Sequence, residues 1–301
     1  MSLFVVVGAG PVGCETARLL AADGHEVRLV SRGGATLDDD RVSGAALDAS
    51  DGQGLTRVSV GADAIFMCAM AAYTNWPAEF PPIMAGVVAA AEGVGARIVV
   101  LGNIYGYGKE APSPLTSALP LAPTSVKGRV RTAMWEQALG SAVPALEVRA
   151  SDYLGSGAAS LFTLLTLPPL LAGQEATMPG DLEAQHAWSY TKDVARTLVA
   201  ASRYSGQWGR AFHVPSQHIS VRELATRFTE RAGAPAPNLR ALSQEDLVEL
   251  AREDRLMREI LEMSYLFENP LVVDSSNTER LLGISASDLD TIIKDTLTRE
   301  I

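Results

Sequence analysis

The stretch LFVVVGAGPVG, at residues 3–13, is the part of the sequence that indicates the fold most clearly. Five apolar residues predict a buried strand, and the glycines that follow have the Gly-x-Gly-x-x-Gly spacing of a dinucleotide-binding loop. In such a loop Gly8 permits the tight turn, Gly10 lets a pyrophosphate approach the backbone, and Gly13 allows close packing of the next helix. Helical periodicity continues after Pro11, so free N–H groups at the helix start would face the phosphates. The stretch predicts a nicotinamide dinucleotide site; the alternative is a glycine-rich turn without a ligand.

The end of the second predicted strand, at residues 26–30, bears on the choice between the two nicotinamide cofactors. An NAD-selective protein usually has a carboxylate there, against the ribose 2′-hydroxyl. This chain has Ser31 and Arg32 instead, and a guanidinium matches the oxygens of a 2′-phosphate. The sequence therefore favours NADP and leaves NAD open. Asp48 is expected to contact the adenine, or else to be a turn residue. The predicted cofactor-binding residues are Gly8, Gly10, Pro11, Val12, Gly13, Ser31, Arg32, Asp48, Cys68, Ala69 and Lys127.

The composition is that of an ordinary globular protein, and it predicts neither a nucleic-acid nor a membrane partner. Of the 301 residues, 47% are hydrophobic and 20% are charged, and the formal net charge is −10. An acidic chain disfavours nucleic acid, because phosphate binding requires a basic surface. The apolar stretch at residues 161–171 is too short to span a bilayer and contains two prolines. Two cysteines without disulfide spacing, and no signal-peptide pattern, favour a cytoplasmic location.

Strand-like apolar runs alternate with helix-like segments through the first half of the chain. This alternation is typical of a Rossmann-type α/β fold, a doubly wound parallel sheet with helices on both faces. Beyond Arg149 prolines interrupt the pattern and helices dominate. We therefore expect a nucleotide-binding domain at residues 1–155, which also receives segments around 190–215, and a smaller, mainly helical substrate-binding lobe at residues 156–301. Within that lobe, residues 244–263 are predicted to form one long amphipathic helix.

Four later segments occur in an order and spacing that match a known superfamily. They are the strand and turn at 99–106, the segment RASDYLG at 149–155, the loop YTKDVA at 190–195, and FHVP at 212–215. Together with the glycine loop, they resemble the short-chain dehydrogenases/reductases, and within them the extended or atypical group of NAD-dependent epimerases/dehydratases. The resemblance covers most of the chain. It implies an enzyme that uses a bound nicotinamide cofactor.

The Tyr-x-x-x-Lys dyad of that superfamily has no counterpart in the helix where it is expected. The resemblance aligns Lys127 with the tyrosine and Arg131 with the lysine, and residues 123–131 contain no tyrosine. Being four residues apart, the two cations share one helix face and could both point into the cleft. A neutral Lys127 amine could transfer a proton if burial and Arg131 lower its pKa. The alternative is a solvated basic face that continues through Arg129.

Asn103 and Tyr105 complete the predicted catalytic set with Lys127. Asn103 stands near the position of the superfamily's helper serine and could donate a hydrogen bond to a substrate oxygen. Tyr105 is an alternative proton donor, or else a wall of the pocket. The residues expected to contact substrate are Tyr73, Asn75, Trp76, Arg131, Asp152, Tyr153 and His186. The four histidines show no metal-ligand spacing, so no metal is expected.

These features favour an NADP-dependent reductase, epimerase or dehydratase that acts on a small hydroxylated or carbonyl substrate, including nucleotide-sugar-like compounds. Hydride transfer belongs to the cofactor, so the chain needs only to position a carbon atom and relay a proton. The missing tyrosine supports a different class, a non-catalytic NADP-binding sensor or scaffold. A redox-neutral lyase or isomerase is a third alternative. Relatives commonly dimerise through helices that correspond to residues 83–92 and 126–139, which predicts a homodimer.

Overall fold

A seven-stranded parallel sheet lies at the centre of the computed structural model, which describes residues 1–298. From one edge to the other its strands are β3 (Val42–Ala46), β2 (Glu26–Ser31), β1 (Leu3–Val7), β4 (Ala62–Met67), β5 (Arg97–Asn103), β6 (Ala145–Ala150) and β10 (Arg210–His213). Every neighbouring pair in this sheet is parallel. The expected Rossmann-type α/β fold is confirmed.

Helices cover both faces of the central sheet. One face carries α1 (Pro11–Ala22), α6 (Thr191–Ser202) and α10 (Ser276–Leu282), and the other carries α2 (Gly52–Val58), α3 (Trp76–Val94) and α4 (Val126–Leu139). The side chains of β1 explain why its sequence is a continuous apolar run. Val6 packs into the core on the α1 side, while Val5 and Val7 pack into the core on the α3 side. A strand buried on both faces needs an apolar residue at every position.

The remaining elements form a second core beside the carboxyl edge of the sheet. Its strands are β7 (Asp152–Leu154), β8 (Ala176–Pro179), β9 (Gln185–Tyr190), β11 (Gln217–Ser220) and β12 (Leu239–Leu242), arranged as a three-stranded sheet β11-β9-β7 and a pair β12-β8. Its helices are α5 (Leu167–Leu171), α7 (Val221–Ala232), α8 (Gln244–Glu253), α9 (Arg255–Met263) and α11 (Leu289–Leu297). Within residues 1–298, no helix has the length and apolar character needed to cross a membrane.

The carboxyl ends of β1 and β4 meet at the centre of the sheet, where the strand order reverses. A crevice forms at such a point because the loops on its two sides lead away in opposite directions. Here the two loops touch: a β-carbon on Gly8 would lie 2.6 Å from backbone atoms of Cys68 and Ala69. The loops after β5 and β6 open at the same edge, which brings later segments of the chain close to the glycine loop.

Two helices differ from the prediction. Residues 244–263 form two helices, because Asp254 leaves helical geometry (φ −104°, ψ 121°) and its carboxylate accepts hydrogen bonds from the N–H groups of Leu256 and Met257. An aspartate in this position caps a new helix. Helix α3 begins at Trp76 and not near residue 83. Pro77 lies in the first turn, where proline is tolerated, but Pro81 and Pro82 lie inside the helix. The burial of Trp76 and Phe80 holds this segment against the sheet.

Candidate functional site

The glycine loop leaves the start of α1 open. Gly8 has φ +108°, a conformation that L side chains rarely adopt, and a β-carbon on Gly13 would collide with the carbonyl oxygen of Gly8. A β-carbon on Gly10, by contrast, would meet nothing within 4 Å. Gly10 caps α1 without any side-chain hydrogen bond, so the first N–H groups of the helix have no side-chain acceptor. An anion fits there because these groups carry the positive end of the helix dipole.

The far end of the crevice, at the carboxyl ends of β2 and β3, carries the residues expected to discriminate between the cofactors. The Ser31 hydroxyl accepts a hydrogen bond from the N–H of Ala35 at 2.9 Å, which closes the turn after β2. Arg32 is exposed, and it forms no ion pair with any described residue. Hydrogen bonds from Ser50, and to a smaller extent the charge of Arg32, hold the pKa of Asp48 below its ordinary value. Asp48 and Arg32 are therefore neighbours at this edge, and the guanidinium is free to meet a ligand.

Cys68 and Ala69 form the wall of the crevice opposite the glycine loop. The Cys68 side chain is buried, and burial raises the pKa of its thiol to about 12. A thiol in this state is uncharged at neutral pH and behaves as a small apolar group. Its role next to Gly8 and Gly13 is therefore packing.

Helix α4 carries Lys127 and Arg131 into the interior of the protein. Ser125 caps the helix by accepting a hydrogen bond from the N–H of Gly128 at 3.0 Å. The exposed fraction of Lys127 is 1% and that of Arg131 is 5%, whereas Arg129 is exposed. The alternative of a solvated basic face is therefore wrong for Lys127 and Arg131. Their shared helix face is turned inward, as the four-residue spacing predicts.

Lys127 is held by carboxylates from the second core. Its ammonium pairs with Glu262 (Nζ to Oε2, 3.0 Å) and with Glu259, and lies 4.5 Å from the centre of the Tyr73 ring. Glu262 also accepts hydrogen bonds from the backbone N–H groups of Val126 and Lys127. Both carboxylates come from helix α9, so the ammonium is held by two ion pairs from one helix. The arrangement joins α4 to α9.

Arg131 is a buried cation with no carboxylate partner among the described residues. Its guanidinium donates to the carbonyl oxygen of Leu101 at 3.2 Å and lies over the rings of Trp76 and Phe80, at 4.7 Å and 4.3 Å. The Nε atom has no hydrogen-bond partner within residues 1–298. Burial lowers the pKa of Arg131. Buried charges are usually paired, so this guanidinium has unused capacity to bind a polar group.

A cavity of about 360 Å³ lies between the carboxyl edge of the sheet and helix α9. Its polar lining residues are Tyr73, Asn103, Tyr105, Arg131, Ser151, Asp152, Tyr153, Ser160 and Ser264. Its larger apolar lining residues are Met70, Trp76, Leu161, Leu164, Leu165, Leu256, Ile260, Met263, Leu266 and Phe267. The predicted residues Asn103, Tyr105, Tyr73, Trp76, Arg131, Asp152 and Tyr153 are thus brought together around one space.

Three tyrosines contribute to the polar side of this cavity. Burial raises the pKa of Tyr105 and of Tyr73 well above the ordinary value, and raises the pKa of Tyr153 to about 12. Each phenol is therefore protonated at neutral pH and can donate a hydrogen bond. Tyr105 stacks on Trp76, with ring centres 6.0 Å apart. Its N–H donates to the Asn103 side-chain oxygen at 3.2 Å, which leaves the Asn103 amide NH₂ as a donor.

Asp152 reaches the cavity with a histidine behind it. The His186 Nε2 atom lies 2.8 Å from Asp152 Oδ2, and the imidazole stacks on Phe267 with ring centres 4.3 Å apart. The other ring nitrogen, Nδ1, is buried and has no hydrogen-bond partner in the described part of the chain. His186 does not line the cavity, and neither does Asn75, whose amide donates to Glu79 at 2.8 Å. These two predicted substrate residues therefore lie behind the cavity wall or beside it.

The sequence did not point to several lining residues. Ser151 lines the cavity with a buried hydroxyl that no described residue hydrogen-bonds. Leu164 and Leu165, within the apolar stretch at residues 161–171, are exposed at the mouth of the cavity. The amphipathic pattern of α9 was visible in the sequence. Its apolar face could have suggested a lid, but nothing in that pattern says which surface it covers.

The fold and the site define a Rossmann-type nucleotide-binding protein with an enclosed cavity beside the crevice. The sequence matches the model of the NAD dependent epimerase/dehydratase family over residues 4–214. The chain belongs to that family, and the expected resemblance is confirmed. No curated protein matches the chain.

Solved structures share the fold across nearly the whole chain. The Bordetella bronchiseptica enzyme WbmH in complex with NAD⁺ has 18% identity and a TM-score of 0.81, and the match covers 99% of this chain and 98% of that one. UDP-glucuronic acid 4-epimerase from Bacillus cereus in complex with NAD has 13% identity and a TM-score of 0.79, with 99% and 96% covered. DesIV, a dTDP-glucose 4,6-dehydratase from Streptomyces venezuelae, has 20% identity and a TM-score of 0.77, with 99% and 96% covered.

Proposed function

We propose that this protein binds NADP over the glycine loop and acts as a reductase, epimerase or dehydratase on a small hydroxylated or carbonyl substrate. The observation that carries the proposal is that the open start of α1 and the 360 Å³ cavity share one edge of the sheet. The β4 loop connects them, since Cys68 and Ala69 touch the glycine loop while Met70 and Ala71 line the cavity. A dinucleotide lying along this edge would bring its two ends to different sites.

Arg32 supports NADP over NAD as the cofactor. The similar solved structures contain NAD, and in this chain the guanidinium of Arg32 is exposed at the end of β2, beside Asp48. A 2′-phosphate would pair with this guanidinium, and the new ion pair would not replace an existing one. Arg32→Ala is expected to weaken NADP binding at least tenfold and to leave NAD binding nearly unchanged. The matched control is Arg41→Ala. Arg41 is exposed and lies just before β3, at the amino edge of the sheet.

The chemistry requires one hydride and one proton. A bound reduced nicotinamide would supply the hydride to a substrate carbonyl carbon, and the protein would supply the proton to the carbonyl oxygen, giving an alcohol. We propose that two groups donate hydrogen bonds to the substrate oxygen. They are the Tyr105 hydroxyl and the Asn103 amide, which line the same wall of the cavity. Arg131 would hold hydroxyl groups of the cofactor or substrate. Asp152, backed by His186, is a second proton carrier within the cavity.

Lys127 has a positioning role in this proposal. Its ammonium is bound by Glu259 and Glu262 and it does not line the cavity. It therefore fixes α9 against the start of α4, where the family's tyrosine is aligned, and leaves proton transfer to other groups. The comparisons offer no support for the alternative of a non-catalytic sensor.

Consumption of reduced cofactor with a panel of ketones, aldehydes and sugar nucleotides tests the assignment of the site. With an active substrate, Tyr105→Phe and Asp152→Asn are the informative variants, and positioned acid or base groups typically contribute a factor of about 10²–10⁴. We expect one of the two to lower kcat at least tenfold. Tyr204→Phe, on the far side of the sheet near β10, is the control. Wild-type kcat in both cavity variants would contradict the assignment.

The homodimer and the cytoplasmic location stay predictions. Helices α3 and α4, which would form the dimer contact, pack against each other along the sheet. Val126 and Leu139 expose apolar surface at the two ends of α4. Light scattering of the purified protein would give the oligomeric state directly.

A further inference from the structure

The cavity has few charges for its size. Arg131 and Asp152 are the two charged side chains among its described lining residues, and they are of opposite sign. The rest of the polar lining consists of hydroxyl and amide groups, which hydrogen-bond neutral ligands as well as charged ones. The lining therefore offers no excess positive charge.

The charges just behind the wall make the site still less favourable for an anion. Lys127 lies against Tyr73, but its ammonium is neutralised by Glu259 and Glu262. Two carboxylates thus lie beside one ammonium. Burial is the largest cause of the raised pKa of Tyr73, and both carboxylates raise it further. A diphosphate placed in the cavity would lose its hydration and meet Arg131 as the one cation among the described lining residues. Arg255, which donates to the carbonyl oxygen of Thr74, lies outside that lining. Burying anionic charge without matching cations is strongly unfavourable.

Apolar side chains line the other side of the cavity and its mouth. Helix α9 contributes Leu256, Ile260 and Met263, and residues 161–165 contribute three leucines. Of the ten large hydrophobic side chains that are exposed in the described chain, four line this cavity: Met70, Leu164, Leu165 and Leu256. Exposed apolar side chains that cluster at one mouth mark a site for an apolar ligand.

We propose that the substrate is a small, uncharged ketone or secondary alcohol with an apolar body, and not a sugar attached to a nucleoside diphosphate. This inference rests on the proposed function for its chemistry, but its evidence is the lining of the cavity. The volume of about 360 Å³ is also near the lower end of the range of roughly 300–1,000 Å³ for small-molecule sites. The carbonyl or hydroxyl would face Tyr105 and Asn103, and the apolar body would contact the leucines and α9.

Equilibrium binding to the purified full chain, with and without NADP, tests this inference. The neutral probe is 4-phenyl-2-butanone, and the anionic probes are UDP-glucose and UDP. Binding is followed by isothermal titration calorimetry, and by fluorescence because Trp76 lines the cavity. We expect the ketone to saturate one site with a Kd at least tenfold lower than that of UDP-glucose, and UDP to leave the ketone titration unchanged.

A pair of exposed leucines locates the site of binding. Leu164→Arg places a cation at the mouth of the cavity, and Leu139→Arg places one at the end of α4, away from it. Both positions are exposed, so both variants are expected to fold. Leu164→Arg should raise the Kd of the ketone at least fivefold, and Leu139→Arg should not change it.

The outcomes separate this inference from the proposed function. Tighter binding of UDP-glucose or UDP than of the ketone, no saturation by the ketone, or equal effects of the two leucine variants would each overturn the inference. Cofactor binding is measured in the same samples. If NADP and NAD both fail to bind while the ketone binds, the proposed function fails and the description of the cavity stands.

Discussion

Lys127 and Glu262 are joined at two points. The lysine Nζ donates to Oε2 of Glu262 at 3.0 Å, and the lysine backbone N–H donates to Oε1 of the same carboxylate at 3.3 Å. One side chain of α9 thereby binds both the charge of Lys127 and the first turn of α4, where a carboxylate also interacts favourably with the helix dipole. This contact joins α9, which lines the cavity, to the start of α4.

Lys127→Met is expected to destabilise the protein and to loosen the contact between α4 and α9. The substitution leaves Glu259 and Glu262 side by side without their cation, and breaking a buried pair costs roughly 3–5 kcal/mol. Because each carboxylate keeps 23% of its side chain exposed, we expect about 1–3 kcal/mol less free energy of unfolding in urea. Lys109→Met, which removes a more exposed pair with Glu268, is the control. Equal losses in the two variants would show that the contact has no special role.

Arg131→Met is expected to weaken ligand binding more than it weakens the fold. Among the described residues the guanidinium has no carboxylate partner to leave behind, and burial already disfavours its charge by lowering its pKa. We predict a free energy of unfolding within about 1 kcal/mol of wild type and a Kd for NADPH at least tenfold higher. Fluorescence titration measures the Kd, with Arg129→Met on the exposed face of α4 as the control. An unchanged Kd would mean that Arg131 serves packing alone.

The glycine loop was predictable from sequence because its determinants are local. The turn at Gly8, the close packing at Gly13 and the open position at Gly10 all arise within residues 3–13. The apolar runs of the central strands were predictable for the same reason, since each must be buried on both faces. The order of segments along the chain then identified the family.

The partners of the α4 cations were not predictable, because they lie far away in sequence. Glu259 and Glu262 follow Lys127 by 132 and 135 residues. Nothing in the local pattern distinguishes a buried Lys127 from a solvated one, so the prediction kept both alternatives. The break at Asp254 was missed because a strong helical pattern runs on both sides of it. Tertiary packing decided these features.

Stability should fall as the pH drops from about 6.5 to about 4 because of His213. Burial lowers the pKa of this histidine to about 4, and its ring contacts the Tyr107 hydroxyl and the Asp274 carbonyl oxygen. The unfolded chain takes up the proton near pH 6.5 and the folded chain only near pH 4, so acid favours unfolding in that interval. At about 1.36 kcal/mol per pKa unit, the loss is roughly 3 kcal/mol.

Urea unfolding of wild type and His213→Asn at pH 7.5 and pH 4.5 isolates this contribution. The variant is expected to lose less free energy of unfolding on acidification than wild type does, by roughly 2–3 kcal/mol. Its stability at pH 7.5 will be lower, because a buried hydrogen bond to Tyr107 is lost. An identical pH dependence in the two proteins would show that His213 does not titrate in this range.

Titration of Gly10→Val with NADPH is the most direct test of the proposed nucleotide site. The β-carbon of residue 10 has open space around it, and the backbone there is extended (φ −79°, ψ −179°), so the fold should accept valine with an unchanged midpoint of thermal unfolding. The valine side chain would stand over the free N–H groups of α1. We predict saturable binding of NADPH to wild type and a Kd at least tenfold higher for the variant. Equal affinity in the two proteins, or no saturable binding to wild type, would contradict a diphosphate site at this loop.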